Sequence, residues 1–429
     1  MKTMTLKANT VNRSSGRTHT ASIVDKWAKK FVMDVLKKLN RQRVVLEDGD
    51  RRYYFGEDES SAELTAHIKV LSPHFYTDLL KGGSIACGES YMWGHWTTND
   101  LLTLVRVMVL NLHVLNSVNE QRSFLTRWAT SLLHKKNNNN RTGSRRNIAA
   151  HYDLSNEFFA TFLDPTMMYS AAIFPSDDCE LEEASVNKLV HTCERLQLKA
   201  DDHLLEIGSG WGSLAIHAAK EYGCKVTTAT LSKEQYEFAS ARIKAEGLED
   251  KVNIVLRDYR DLEGQYDKLV SIEMIEAVGH EFYCEYFAQC SRLLKEDGLM
   301  LIQAITISDQ RYHQAKKSVD FIQRYIFPGG CLPSNSAIAE HIAKDTDMQI
   351  VGVEDITRDY SLTLGHWRKA FLDERDAVES LGFSEEFIRM WDYYLAYCQG
   401  GFAERVIHTA QFLCAKPMFR STAKIGLPQ

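Results

Sequence analysis

Along residues 24–39, Val24, Trp27, Phe31, Val35 and Leu39 recur at helical spacing, and Lys26, Lys29, Lys30, Lys37 and Lys38 fill the more polar positions. The spacing predicts an amphipathic helix with a basic face. Such a helix either packs on its own domain or also touches anionic lipid. The preceding residues 1–20 are polar and rich in Ser, Thr, Lys and Arg, the composition of a disordered tail. Beyond the helix, short apolar runs at Val44–Leu46, Arg52–Phe55 and His67–Leu71 mix with helical stretches, so residues 21–118 read as a small α/β domain. From Lys135 to Arg146 there is no apolar residue, only a cluster rich in Lys, Arg and Asn. It marks 119–147 as a basic linker, either simply solvated or resting on anionic headgroups.

From about residue 148 the pattern changes. Strand-like runs at His203–Ile207, Lys225–Leu231, Val252–Leu256, Lys268–Glu273, Leu299–Ile305, Met348–Val353 and His408–Ala415 alternate with helical segments. Such alternation predicts a mostly parallel sheet with helices on both faces. Seven strands, the last two after a long insertion, suit the doubly wound, Rossmann-like α/β fold of methyltransferases over residues 148–429.

Charge and composition narrow the function. The net charge of −6 over 429 residues argues against a nucleic-acid partner, for which a basic domain is the usual footprint. The nine cysteines show no CxxC or Cys/His spacing. No metal site or disulfide framework is expected, and a reducing cytoplasm is the expected setting. No signal-peptide pattern opens the chain. The most apolar run, Leu101 to Leu115, is interrupted by Arg106, Asn111 and His113 and is too short to span a bilayer. A protein resting on the inner face of a membrane fits these features, and one crossing it does not.

The most specific local signal is the strand Leu204-Leu205-Glu206-Ile207 followed by Gly208-Ser209-Gly210-Trp211-Gly212, which turns the chain into a helix over Ser213–Tyr222. Glycines let backbone approach a ligand closely, and ligands of open parallel sheets bind at such strand ends. Dinucleotide folds use a Gly-rich turn too. Here Glu206 precedes the first glycine, and no acid ends the second strand, where a nicotinamide ribose would require one. Thr230-Leu231-Ser232-Lys233-Glu234-Gln235 stands there instead, and Arg257-Asp258-Tyr259-Arg260 closes the third strand with groups suited to an adenine. The three strand ends together point to S-adenosylmethionine (SAM).

With these ends placed, the remaining motifs resemble the cyclopropane-fatty-acyl-phospholipid synthase family. The resemblance rests on His151-Tyr152-Asp153-Leu154-Ser155-Asn156, on Leu163-Asp164-Pro165 with Tyr169-Ser170, and on Met274-Ile275-Glu276-Ala277-Val278-Gly279-His280. It also rests on Tyr325-Ile326-Phe327-Pro328-Gly329-Gly330-Cys331-Leu332-Pro333-Ser334 and on Gly88-Glu89-Ser90-Tyr91-Met92-Trp93-Gly94. The match runs from about residue 60 onward, and Glu273–Gly279 looks closest to the plant-type branch. It implies a SAM pocket lined by Tyr169, Ser170, Gly208, Gly210, Thr230, Leu231, Gln235, Tyr259 and Arg260, beside Glu206 and Gly212 of the turn. It also implies an unsaturated phospholipid substrate, a homodimer, and a bicarbonate ion near the reacting carbons. Of the positions that hold that ion, Glu276, Ile305 and Tyr360 match the family. The cysteine position is Ala171 and the histidine position is Gln303. Cys398 stands where the family has a cysteine once proposed as a nucleophile; a buried helical cysteine is the other reading.

The implied chemistry is methyl transfer to a cis double bond, followed by loss of a proton from the resulting carbocation. Loss from the new methyl closes a cyclopropane; a hydride shift before the loss gives a methylene or methyl-branched chain, which a downstream reductase or oxidase would then process. Glu276 is the expected base, and Tyr283, Phe287, Tyr325 and Phe327 are candidate aromatic faces for the cation. Two other readings remain open at this point: a C-methyltransferase of a free small molecule, and a SAM- or lipid-binding homologue impaired in catalysis by the changes at Ala171 and Gln303.

Overall fold

The computed structural model describes residues 23–114 and 154–420. The tail 1–20 and the Lys135–Arg146 cluster lie outside those residues. The first helix, Ile23–Leu36, divides its apolar residues between two faces. Ala28, Val32, Met33 and Leu36 are buried, whereas Val24 (65%), Trp27 (76%) and Phe31 (37%) are exposed. The expected single stripe is therefore split, because the packing face is built partly from Ala28 and Met33. Lys29 turns inward to Asp48 at 2.5 Å, and Lys26 and Lys30 stay outside.

Behind this helix lies a four-stranded sheet, β1 Arg43–Asp48, β2 Arg51–Gly56, β3 Thr65–Val70 and β4 Trp96–Thr97, in the order β2-β1-β3-β4. The helices His74–Met92 and Leu101–Leu110 complete the layer. Asp100 starts the second of them by accepting from Thr103 N at 3.0 Å, an ordinary N-cap.

The larger sheet holds β5 His203–Ile207, β6 Lys225–Thr230, β7 Val252–Leu256, β8 Tyr266–Ile272, β9 Leu294–Ile307, β10 Gln349–Asp355 and β11 Ile407–Ala415. Its order is β10-β11-β9-β8-β5-β6-β7. Strands β5 to β9 run parallel, and β11 enters antiparallel between β9 and β10. Instead of one long insertion before the last two strands there are two. Residues 308–348 precede β10, and the helices Thr357–Asp373, Arg375–Ser380 and Glu385–Ala403 separate β10 from β11.

That second insertion joins the two sheets. Phe75, Tyr91, Trp96, Leu101 and Leu104 share one buried cluster with Trp391, Tyr394 and Leu395 of the Glu385–Ala403 helix. Polar ties reinforce it: Tyr91 Oη donates to Asp392 at 2.8 Å, and Arg389 Nε donates to Tyr91 O at 2.6 Å. Glu89 accepts from Tyr325 Oη at 2.5 Å and pairs with Arg324 at 3.1 Å. A Cβ on Gly88 would lie 2.5 Å from the Phe321 ring and 2.9 Å from Tyr393. Gly88→Ala is therefore expected to destabilise the chain by about 1–3 kcal/mol through overpacking, read from the urea midpoint. No helix among the described residues is long and apolar enough to cross a membrane.

Candidate active site

The Gly-rich turn forms where β5 ends. Gly208 (φ +99°) and Gly212 (φ +87°) occupy backbone conformations that side chains disfavour. A Cβ at Gly212 would stand 3.0 Å from that of Ala239, and one at Gly210 would meet nothing within 4 Å, so the turn is tight behind and open in front. Gly208 N and Ser209 N both donate to Ala229 O at 2.9 Å, tying the turn to β6. Trp211 Nε1 donates to Asn156 Oδ1 at 2.8 Å. Asn156 thus braces the turn; His151, Tyr152 and Asp153 of the same motif lie outside the described residues.

The neighbouring strand ends bring the other expected residues to this edge. Glu206 is buried, accepts from Thr228 Oγ1 at 2.5 Å, and is pushed up to a pKa of about 8 chiefly by burial. Thr230 Oγ1 donates to Gln235 Oε1 at 2.9 Å after β6, with Leu231 half-buried between them. After β7, Arg260 grips Asp258 with two hydrogen bonds of 2.9 and 2.8 Å, and its guanidinium lies 5.3 Å from the Tyr259 ring centre. Arg260 is thus a brace for the loop.

The centre of the site is a residue that the sequence reading passed over. Glu273 follows β8 with φ +50°, a left-handed conformation that costs a non-glycine residue on the order of 1–3 kcal/mol. Its Oε1 accepts from Ala171 N at 2.9 Å and from Gln303 Nε2 at 2.8 Å. Its Oε2 accepts from Tyr360 Oη at 2.7 Å. Ala171 has no side-chain donor, yet it contributes its backbone N–H. Gln303 is oriented by Gln411 of β11, whose Nε2 donates to Gln303 Oε1 at 3.0 Å. Tyr360 is stacked on Phe402, with ring centres 4.4 Å apart.

Glu276 sits one short turn further on. Ile305 N donates to its Oε1 at 2.5 Å, while its Oε2 is buried without a partner. Burial first, and then repulsion by Glu273, push its pKa up to about 8. Burial also raises the pKa of Glu273, but the Lys188 ammonium and its three hydrogen-bond donors oppose the rise. Lys188, from the Leu181–Arg195 helix, is 1% exposed and donates to Ser170 Oγ. Burial draws its pKa down to about 8 against the pull of Glu273, Asp164 and Glu206. The buried ammonium of Lys188 therefore lies among several buried acids, Asp164, Glu206, Glu273 and Glu276.

Aromatic rings flank this group. Tyr169 and Tyr394 meet hydroxyl to hydroxyl at 2.8 Å, and the Tyr169 ring lies 5.2 Å from Trp367 and 6.4 Å from Phe327. Of the four aromatics expected to face the cation, only Phe327 joins this cluster. Tyr283 and Phe287 pack in a separate core, and Tyr325 bonds Glu89. Cys398 lies in the Glu385–Ala403 helix, and burial pushes its thiol far above the ordinary range, which disfavours a thiolate.

Residues 139–412 match the family described as mycolic acid cyclopropane synthetase. The chain is 39% identical over 345 residues to tuberculostearic acid methyltransferase UfaA1 of Mycobacterium tuberculosis, covering 77% of this chain and 78% of that protein. It is 38% identical over 354 residues to the cyclopropane-fatty-acyl-phospholipid synthase of Escherichia coli, covering 82% and 88%. Among solved structures, mycolic acid cyclopropane synthase CmaA1 complexed with SAH and CTAB superposes with a TM-score of 0.60 at 32% identity, over 63% of this chain and 98% of that one.

Proposed function

Because the chain belongs to the mycolic acid cyclopropane synthetase family of SAM-dependent methyltransferases, we propose that it methylates the cis double bond of an unsaturated acyl chain in a membrane phospholipid. The observation that carries this reading is the pair of buried carboxyl groups, Glu273 and Glu276, bonded to Tyr360 and Ile305, which pack in one cluster with the aromatic rings. An alkene is a weak nucleophile, so the site must align it, exclude water and accept a proton afterwards. Tyr169, Phe327, Trp367 and Tyr394 offer ring faces to the cation on the acyl chain, and the carboxyl pair accepts the proton.

SAM supplies an electrophilic methyl group. The open space in front of Gly210 and the tight turn at Gly208 and Gly212 fit it. Glu206, Tyr169, Ser170, Thr230, Leu231, Gln235, Tyr259 and Arg260 are the residues proposed to line its pocket. Bicarbonate does not fit the donor set as it stands. Ala171 N, Gln303 Nε2 and Tyr360 Oη already serve Glu273, and Ile305 N serves Glu276.

The substrate has to be met at a bilayer. Exposing a long acyl chain to water costs roughly 0.8 kcal/mol per CH₂, on the order of 14 kcal/mol in all. The exposed Val24, Trp27 and Phe31, edged by Lys26 and Lys30, form the proposed docking face on the inner leaflet. Two such faces in a homodimer would strengthen binding.

The test is incubation with SAM and liposomes of cis-unsaturated phospholipid, with acyl chains analysed by mass spectrometry before and after hydrogenation that spares the ring. A one-carbon gain is expected. Resistance to hydrogenation identifies a cyclopropane; uptake of hydrogen identifies a methylene product and calls for a downstream reductase. No gain, despite SAM binding, would overturn the reading in favour of a free small-molecule substrate or a non-catalytic role.

A further inference from the structure

We infer that Glu273 is the resident anion of the reaction site, a carboxylate built into the chain where the proton acceptor must sit, so that the enzyme works without a dissolved anion. The inference rests on the methyltransferase reading above and assigns one residue within it. Three donors from separate parts of the chain converge on this carboxylate: a backbone N–H (Ala171), an amide (Gln303) and a phenol (Tyr360). These are three of the positions that the family resemblance gives to bicarbonate. A negative group held by several donors in a buried site is what an anion pocket provides, and here the occupant is covalently attached.

Two further observations support the assignment. Glu273 adopts φ +50° although it is not glycine, and strained backbone of this kind concentrates at functional positions. The buried Lys188, bonded to Ser170, supplies the positive charge that favours a carboxylate at 273. Glu276 lacks that support, with one oxygen on Ile305 N and the other unpartnered. Of the adjacent acids, Glu273 is the one equipped to hold the charge and Glu276 the one to hold a proton.

The step balances as follows. The alkene π pair forms the bond to the incoming methyl carbon, and the carbon–sulfur pair stays on sulfur. The cation left on the acyl chain then loses H⁺ to a Glu273 oxygen, and the freed C–H pair closes the ring or forms the new double bond. The proton leaves Glu273 through Glu276, which gives its own acid proton to solvent and takes the new one on its unpartnered oxygen as product departs.

The experiment uses the full chain, liposomes and SAM in buffer scrubbed of carbon dioxide, with and without millimolar bicarbonate. The wild-type rate is expected to change by less than about twofold on adding bicarbonate, whereas Glu273→Gly loses about 100-fold or more and recovers at least about tenfold with it. Glycine tolerates the positive φ, so this variant keeps the fold, which its SAM affinity checks. Glu273→Gln, which fills the same space, is not rescued. A wild type that depends on bicarbonate, or a Glu273→Gly variant fully active without it, would overturn the inference. Should the wild type leave lipid untouched in every buffer, the function reading fails instead. Line broadening of ¹³C-bicarbonate then decides the anion question: no binding to wild type and binding to Glu273→Gly support the inference, and binding to wild type overturns it.

Discussion

Glu276→Gln is expected to form methylated lipid about 100- to 10,000-fold more slowly than wild type, the range for loss of a proton-transferring group, with SAM affinity unchanged. An amide oxygen at 276 still accepts from Ile305 N, so the fold and the cofactor edge are kept while the exchangeable proton is lost. The same substitution alters stability in the opposite sense. Folded Glu276 has a pKa of about 8 against an ordinary 4.5. The folded protein therefore keeps a proton that the unfolded chain releases in that window. The stability this group contributes is present in full below pH 4.5 and drains away as pH rises to about 8. At about 1.4 kcal/mol per pH unit, the rise from 4.5 to about 8 amounts to on the order of 5 kcal/mol. Urea melts at pH 6 and pH 8 read it: wild type weakens across the interval, and Glu276→Gln weakens less. Equal pH slopes, or unimpaired turnover, would remove Glu276 from the role given to it.

The second large effect is expected at the proposed docking face. Three apolar side chains, Val24, Trp27 and Phe31, stand in water on one side of a helix whose other side is buried. Moving each into an acyl environment is worth up to about 1.5–3 kcal/mol. With partial insertion their combined loss in a triple serine variant is on the order of 4 kcal/mol, or about 1,000-fold in vesicle partitioning. Sedimentation with anionic vesicles measures it, and kcat/KM on liposomes should fall in parallel while turnover of detergent-dispersed lipid holds. Added salt should weaken wild-type binding through Lys26 and Lys30. A triple variant that sediments like wild type would move the docking face elsewhere.

The contrast between these residues and Glu273 shows what a linear pattern conveys. The turn at Gly208–Gly212 was legible because glycine spacing after a strand carries its own backbone requirement, and β5 to β11 were legible from apolar runs. The helix Ile23–Leu36 was legible as a helix but not in its facing, since Ala28 and Met33 complete the buried side and leave Trp27 outside. Glu273 was read as the last residue of a strand. Its left-handed backbone and its donors from residues 171, 303 and 360 exist only once β8, β9 and the Thr357–Asp373 helix are assembled. A second acid three residues before Glu276 was the one available hint. Lys188 carries no local sequence signal, because its 1% exposure and its bond to Ser170 exist only in the assembled fold.

The second insertion has a consequence for how the molecule is made. The helices His74–Met92 and Leu101–Leu110 bury their apolar sides against the Glu385–Ala403 helix, roughly three hundred residues later in the chain, and Gln303 is oriented by Gln411. A ribosome emits the early layer long before its packing partner exists. Contacts so distant along the chain slow folding, and the waiting apolar surface is prone to association in the meantime. Nascent chains arrested before residue 385 should accordingly be captured by chaperones and cut readily by protease, and release past residue 415 should bring protection of both sheets in a single step.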